Sequence, residues 1–268
     1  MVSGRIDADM APQQDLVEVR GARVRVLRAG SGDPLVYLHS LLGEVRWLPF
    51  FELLSRHFTV YVPENPGFGS SAGLERIDTV HDLAFHYADL LDEMGLERPH
   101  VAGLSLGGWI AAELAVHYPH RVRKLVLIDA MGLNVAGDFT PDIFAASPAE
   151  TGSLLFKDND SELAHSFVSD TPSPEMLDLM LASRQTLARV AWNPYLHDPK
   201  LQDRLYRVKA PTLILWGEAD QFLSTKHGRL YEQRIEGAKL TIVKGSGHLP
   251  PLEKPEETAR HICEFLKA

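Results

Sequence analysis

The chain carries a single cysteine, Cys263, among 268 residues. That excludes an internal disulfide framework and a cysteine-built metal cluster; as a lone thiol in an apolar C-terminal stretch it reads as core. No apolar run approaches the roughly 18 residues that would cross a bilayer, so no membrane partner is expected. Positive charge is also scarce. Lys and Arg number 27 against 36 Asp and Glu, a net charge of −9, which argues against a nucleic-acid backbone as partner. The first 14 residues are polar and lack an apolar secretory core, so they read as a loose tail and the protein as cytoplasmic. Internal repeats and low-complexity tracts are absent.

What remains is an ordinary globular composition, 45% hydrophobic and 24% charged. The length suits one large domain, or one domain with an insertion. Residues 16–19 and 23–27 alternate polar and apolar around Gly21, as a half-solvated hairpin does. Continuous apolar runs follow at 34–38, 58–62, 100–104 and 124–129, and again at 211–217 and 239–243. Such runs suit strands buried on both faces. Helical spacing fills the gaps at 47–56, 79–94, 109–117, 225–234 and 256–266. Alternation of this kind predicts an α/β fold, a mostly parallel central sheet with helices on both faces. The rhythm breaks at residue 131 and resumes at 208. We read 1–130 and 208–268 as the core and 131–207 as a helical cap over the carboxyl ends of the strands, where open α/β sheets place their sites.

The chemistry centres on Gly103-Leu104-Ser105-Leu106-Gly107, between an apolar strand and a helical run. Strand, sharp turn and helix form the setting in which Gly-x-Ser-x-Gly exposes a nucleophilic serine. A serine hydroxyl needs a base, an orienting acid and donors for an oxyanion. Two later strand ends offer the first two: Trp216-Gly-Glu-Ala-Asp220 and Gly245-Ser-Gly-His248. Asp129, which also ends a buried strand, is a rival for the acid and otherwise a cap for the start of the insertion. His117 and His120 straddle Pro119 at a helix end, and no metal site is expected there.

These phrases, with His39-Ser-Leu-Leu-Gly43 and the loop Pro66-Gly-Phe-Gly-Ser-Ser71, resemble the α/β-hydrolase fold superfamily over nearly all of the chain outside the insertion. The resemblance implies Ser105 as nucleophile, His248 as general base and acid, and Asp220 as the orienting group. It implies the backbone N–H groups of Leu106 and Leu41 as oxyanion donors, with His39 bracing their loop. Here the chain departs from the family's usual His-Gly, because Ser40 follows His39.

The expected reaction is cleavage of a small or medium apolar carboxylic ester through an acyl-enzyme, with a small-molecule substrate and no cofactor. Trp109, Arg184, Trp192, Phe222 and Leu249 are the candidate substrate contacts. A carbon–carbon bond hydrolase of ring-cleavage diketones is the alternative, suggested by Asp220-Gln-Phe-Leu, by His227-Gly228 and by Arg184 or Arg189 as a carboxylate fork. A hydrolase-like ligand receptor is a third reading.

Overall fold

A computed structural model describes residues 12–44, 46–169 and 171–268. Its centre is an eight-stranded sheet in the order β1-β2-β4-β3-β5-β6-β7-β8. The strands are β1 (Gln13–Val19), β2 (Ala22–Ala29), β3 (Pro34–Leu38), β4 (Thr59–Pro63), β5 (His100–Leu104), β6 (Leu125–Ile128), β7 (Thr212–Gly217) and β8 (Lys239–Val243). Strand β2 pairs antiparallel with β1 and with β4; the remaining pairs are parallel.

Burial follows position in the sheet. Every residue of β5, β6 and β7 is buried, because helices cover both faces and leave no solvated side to alternate with. In β1 burial alternates along the strand, as at a wet edge. This strand begins at Gln13, so residues 13 and 14 belong to the sheet and not to a tail; residues 1–11 of the expected tail lie outside the described residues. The hairpin expected at 16–19 and 23–27 is present; the polar Gln13 and Gln14 hid only the start of its first strand, since an edge needs few apolar side chains.

Helices α1 (Pro49–Ser55), α2 (Val80–Glu93), α3 (Leu106–His117), α8 (Thr225–Arg234), α9 (Pro250–Glu253) and α10 (Pro255–Lys267) accompany the strands. Helix α1 starts at Pro49, two residues later than its apolar spacing suggests, because proline lacks an N–H and fits the first turn. A capping box between Thr79 and Asp82 opens α2, contributing about 1 kcal/mol. Helix α3 is buried from Leu106 to Val116. Helix α10 buries one stripe, Ala259, Ile262 and Leu266, at a spacing that keeps them on one face.

Between β6 and β7 the regular structure is helical: α4 (Pro148–Leu155), α5 (Glu162–His165), α6 (Pro174–Ala191) and α7 (Leu201–Arg204). None of the described helices is long and apolar enough to cross a membrane.

Candidate active site

Ser105 caps α3 at the carboxyl end of β5 with φ 55° and ψ −113°. A non-glycine residue held there stores roughly 1–3 kcal/mol of backbone strain. Close packing imposes it. A Cβ on Gly103 would lie 2.2 Å from the Gly107 carbonyl oxygen, and one on Gly107 would lie 2.0 Å from that of Leu38. Only glycine lets helix, turn and neighbouring strand approach so closely.

The next strands deliver the partners. His248, on the loop after β8, places Nε2 2.8 Å from the Ser105 Oγ. Its Nδ1 lies 2.8 Å from Asp220 Oδ2, on the loop after β7. The second Asp220 oxygen accepts the N–H groups of Phe222 (2.8 Å) and Leu223 (2.9 Å), which fixes the carboxylate. Asp220 is nearly buried, and Ser105 and His248 are fully buried. In this geometry a proton leaving Ser105 Oγ has one acceptor within reach, and the imidazolium formed faces a carboxylate.

Asp129 does not cap the insertion: no helix starts there, and its Oδ1 accepts the Gly217 N–H at 2.9 Å. It stands beside Asp220 and His248. Burial, then the Asp220 charge, push its carboxyl well above the usual carboxylate range.

The N–H of Leu106 opens α3, and the N–H of Leu41 follows β3. Neither donates to another group among the described residues. Ser40 anchors the second of these. Its Oγ–H donates to Glu44 Oε2 (2.6 Å), its N–H donates to Glu44 Oε1 (3.0 Å), and its Oγ accepts the Leu42 N–H (3.0 Å). His39 fastens the same loop from below: Nδ1 lies 2.8 Å from the Ser40 carbonyl oxygen and Nε2 accepts the Asn65 N–H at 2.9 Å. Nε2 therefore carries the lone pair and Nδ1–H donates. Burial pushes the His39 pKa down, which keeps this neutral form.

A cavity of about 270 Å³ opens beside Leu41 and Glu44. Met180 and Leu187 of α6, with Phe144 and Phe167, give it an apolar wall. Arg184 also lines it, but its guanidinium already donates to the Ala146 carbonyl (2.8 Å). Four other candidate contacts lie elsewhere. Trp109 is buried in α3 and donates to Glu113 Oε1 at 3.1 Å. Trp192 is 60% exposed, on the outside of the helical segment. Leu249 is fully buried. Phe222 sits edge-on to the His248 ring, centroids 5.0 Å apart, where it packs the imidazole. Arg189 turns outward to Asp78. Spacing alone does not distinguish a core position from a pocket wall.

Sequence reasoning missed Glu44 and Glu253. Glu253 Oε2 accepts the Gly247 N–H at 2.7 Å, and its Oε1 accepts the Lys157 N–H at 2.8 Å. His248 N–H in turn donates to the Leu155 carbonyl at 2.9 Å. Each glutamate lies four or five residues from a motif residue, and a charged side chain gives no sign in sequence of the partners it meets on folding.

Comparison with known proteins adds an independent line. The family model described as "Alpha/beta hydrolase family" matches residues 29–261. A 2-hydroxy-6-oxononadienedioate/2-hydroxy-6-oxononatrienedioate hydrolase of Burkholderia vietnamiensis is 31% identical, over 91% of this chain and 91% of its own. The carboxylesterase YbfK of Bacillus subtilis is 26% identical, over 93% of this chain and 86% of its own. Among solved structures, a Rhodococcus 2-hydroxy-6-oxo-6-phenylhexa-2,4-dienoate hydrolase shares the fold, with a TM-score of 0.79 at 20% identity, covering 97% of this chain and 100% of that one.

Proposed function

The chain belongs to the alpha/beta hydrolase family, and from that premise we propose that it is a serine hydrolase cleaving a small or medium apolar carboxylic ester. The observation that carries the reading is the unbroken chain from Ser105 Oγ through His248 to Asp220, at 2.8 Å for each link.

In this reading Ser105 Oγ attacks the ester carbonyl while its proton passes to His248 Nε2. The N–H groups of Leu106 and Leu41 receive the oxyanion; one such donor contributes roughly 10²–10³ in rate. His248 returns the proton to the departing alcohol oxygen. Water, deprotonated by His248, then opens the acyl-enzyme and releases the acid. Asp220 holds the imidazole with Nδ1–H toward itself throughout. No cofactor enters. The segment 131–207 acts as the cap, and the apolar cavity under α6 takes the acyl or alcohol group.

A carbon–carbon bond hydrolase is the second reading, supported by the 31% identical relative of that activity. Against it, the guanidinium of Arg184, the proposed fork for a substrate carboxylate, is spent on a backbone carbonyl, and Glu44 and Glu175 face the same cavity. Turnover of p-nitrophenyl esters measured beside a 2-hydroxy-6-oxo dienoate separates the two. Ester turnover lost in Ser105→Ala with the fold intact supports the first reading, and faster cleavage of the dienoate supports the second. Multiple turnover on either excludes a receptor that reacts once.

A further inference from the structure

A second group of ionisable side chains lies on the far side of Trp109 from the serine. His81 comes from α2, Glu113 and His117 from one face of α3, and Asp198 from the turn before α7. Glu113 Oε2 is 3.5 Å from His81 Nε2 and 3.6 Å from His117 Nε2; His81 Nε2 is 3.4 Å from Asp198 Oδ2. These separations are too long for good hydrogen bonds. The two from Glu113 are close to the edge of a coordination tetrahedron, about 3.4 Å for metal–ligand bonds near 2.1 Å.

The burial pattern points the same way. Glu113 is fully buried, one of its oxygens accepts from Trp109, and the other, Oε2, has no hydrogen-bond partner; nor has the buried Nε2 of His117. A buried carboxylate oxygen and a buried imidazole nitrogen that face each other without a hydrogen bond lose free energy, and a cation between them would satisfy both.

We propose that His81, Glu113 and His117 bind a divalent transition-metal ion of the Zn²⁺ class, with Asp198 beside His81 at the edge of the site. Two imidazoles and one carboxylate, with water in the fourth position, suit that class. The charged groups around the three ligands are Asp198, Arg204 and Arg207. Arg204 Nη1 lies 3.0 Å from Asp198 Oδ2 and 3.2 Å from His81 Nε2, so it supplies the positive charge when no ion is bound. Its side chain is one-third exposed and swings outward on binding. Arg207 donates to the Val116 carbonyl and stays where it is. The ion ties α2, α3 and the return of the chain toward β7 into one unit, and so has a structural role, remote from the serine.

Isothermal titration of the chelator-treated full chain with Co²⁺ or Zn²⁺ tests this. The wild type takes up one equivalent, Co²⁺ gives the intense visible bands of a four-coordinate N/O site, and Zn²⁺ raises the thermal midpoint. His81→Gln and His117→Gln each weaken binding by roughly 100-fold or more, while ester turnover without metal is unchanged. Arg204→Met, which removes the competing cation, tightens binding. If a histidine variant fails to fold, anomalous scattering from Co²⁺ in wild-type crystals decides: a peak between His81 and His117 supports the site. Absence of uptake, equal uptake by wild type and variants, or a peak at Asp129, Asp220 and His248 overturns it.

Discussion

Ser40→Ala removes the one side chain that joins the loop after β3 to Glu44. Two hydrogen bonds disappear, the 2.6 Å bond from Ser40 Oγ–H to Glu44 and the 3.0 Å bond from the Leu42 N–H to Ser40 Oγ. A bond to a carboxylate contributes roughly 1.5–3 kcal/mol and one between neutral groups roughly 0.5–1.5. The variant is therefore less stable by about 2–4 kcal/mol in urea denaturation. Leu41 lies between the two bonds, so its N–H loses its fixed direction. Complete loss of an oxyanion donor costs roughly 10²–10³ in kcat; a loosened one costs roughly 10–100-fold. KM for a short-chain p-nitrophenyl ester stays near the wild-type value, because the oxyanion exists only in the transition state. Ser40→Gly loses the same bonds and behaves alike. A kcat within about twofold of wild type, alongside the full loss of stability, refutes the argument: Ser40 would then hold the fold and not the donor.

Other outcomes follow from the same geometry. Asp129→Asn keeps the acceptor for the Gly217 N–H and offers an N–H toward Asp220, so ester turnover stays within about threefold, far from the loss that removing a triad member causes. Its stability advantage over wild type grows with pH. The native Asp129 pKa is raised, so the folded chain holds the proton more tightly than the unfolded one, and wild-type stability falls as pH rises above the unfolded value near 4; parallel stability curves from pH 4 to 8 contradict this. Gly107→Ala places a methyl 2.0 Å from the Leu38 carbonyl oxygen and costs about 3 kcal/mol or more, read by denaturation; a loss under about 1 kcal/mol shows that the elbow yields. Glu253→Gln keeps one acceptor for two N–H groups, and kcat falls while the thermal midpoint drops; an unchanged pair of values removes Glu253 from the support of His248.

Sequence made the sheet readable wherever burial is two-sided. Runs such as Leu213–Trp216 have no polar option on either face, so their assignment to strands needed no tertiary information. The elbow was equally plain, because glycine at 103 and 107 reports a close backbone approach that no other residue permits. Edge and cap were harder. The first residues of β1, Gln13 and Gln14, are polar enough to pass for tail, and the helical segment has apolar residues facing its own core, the cavity and solvent in turn. Trp192 and Met180 look alike in sequence, yet one is exposed and the other lines the cavity. Glu44, Glu253 and Glu113 were invisible for a different reason. Each meets its partners only after folding, and a glutamate without its partners reads as surface.

The backbone around Leu155 and Lys157 is fastened to the loop that presents the imidazole, directly through the His248 N–H and by way of Glu253. Each of these links contributes roughly 0.5–1.5 kcal/mol, more where a carboxylate accepts. The aim of the imidazole, 2.8 Å from the Ser105 hydroxyl, therefore depends on backbone that belongs to the helical segment between β6 and β7, and a change of sequence there reaches His248 without touching it.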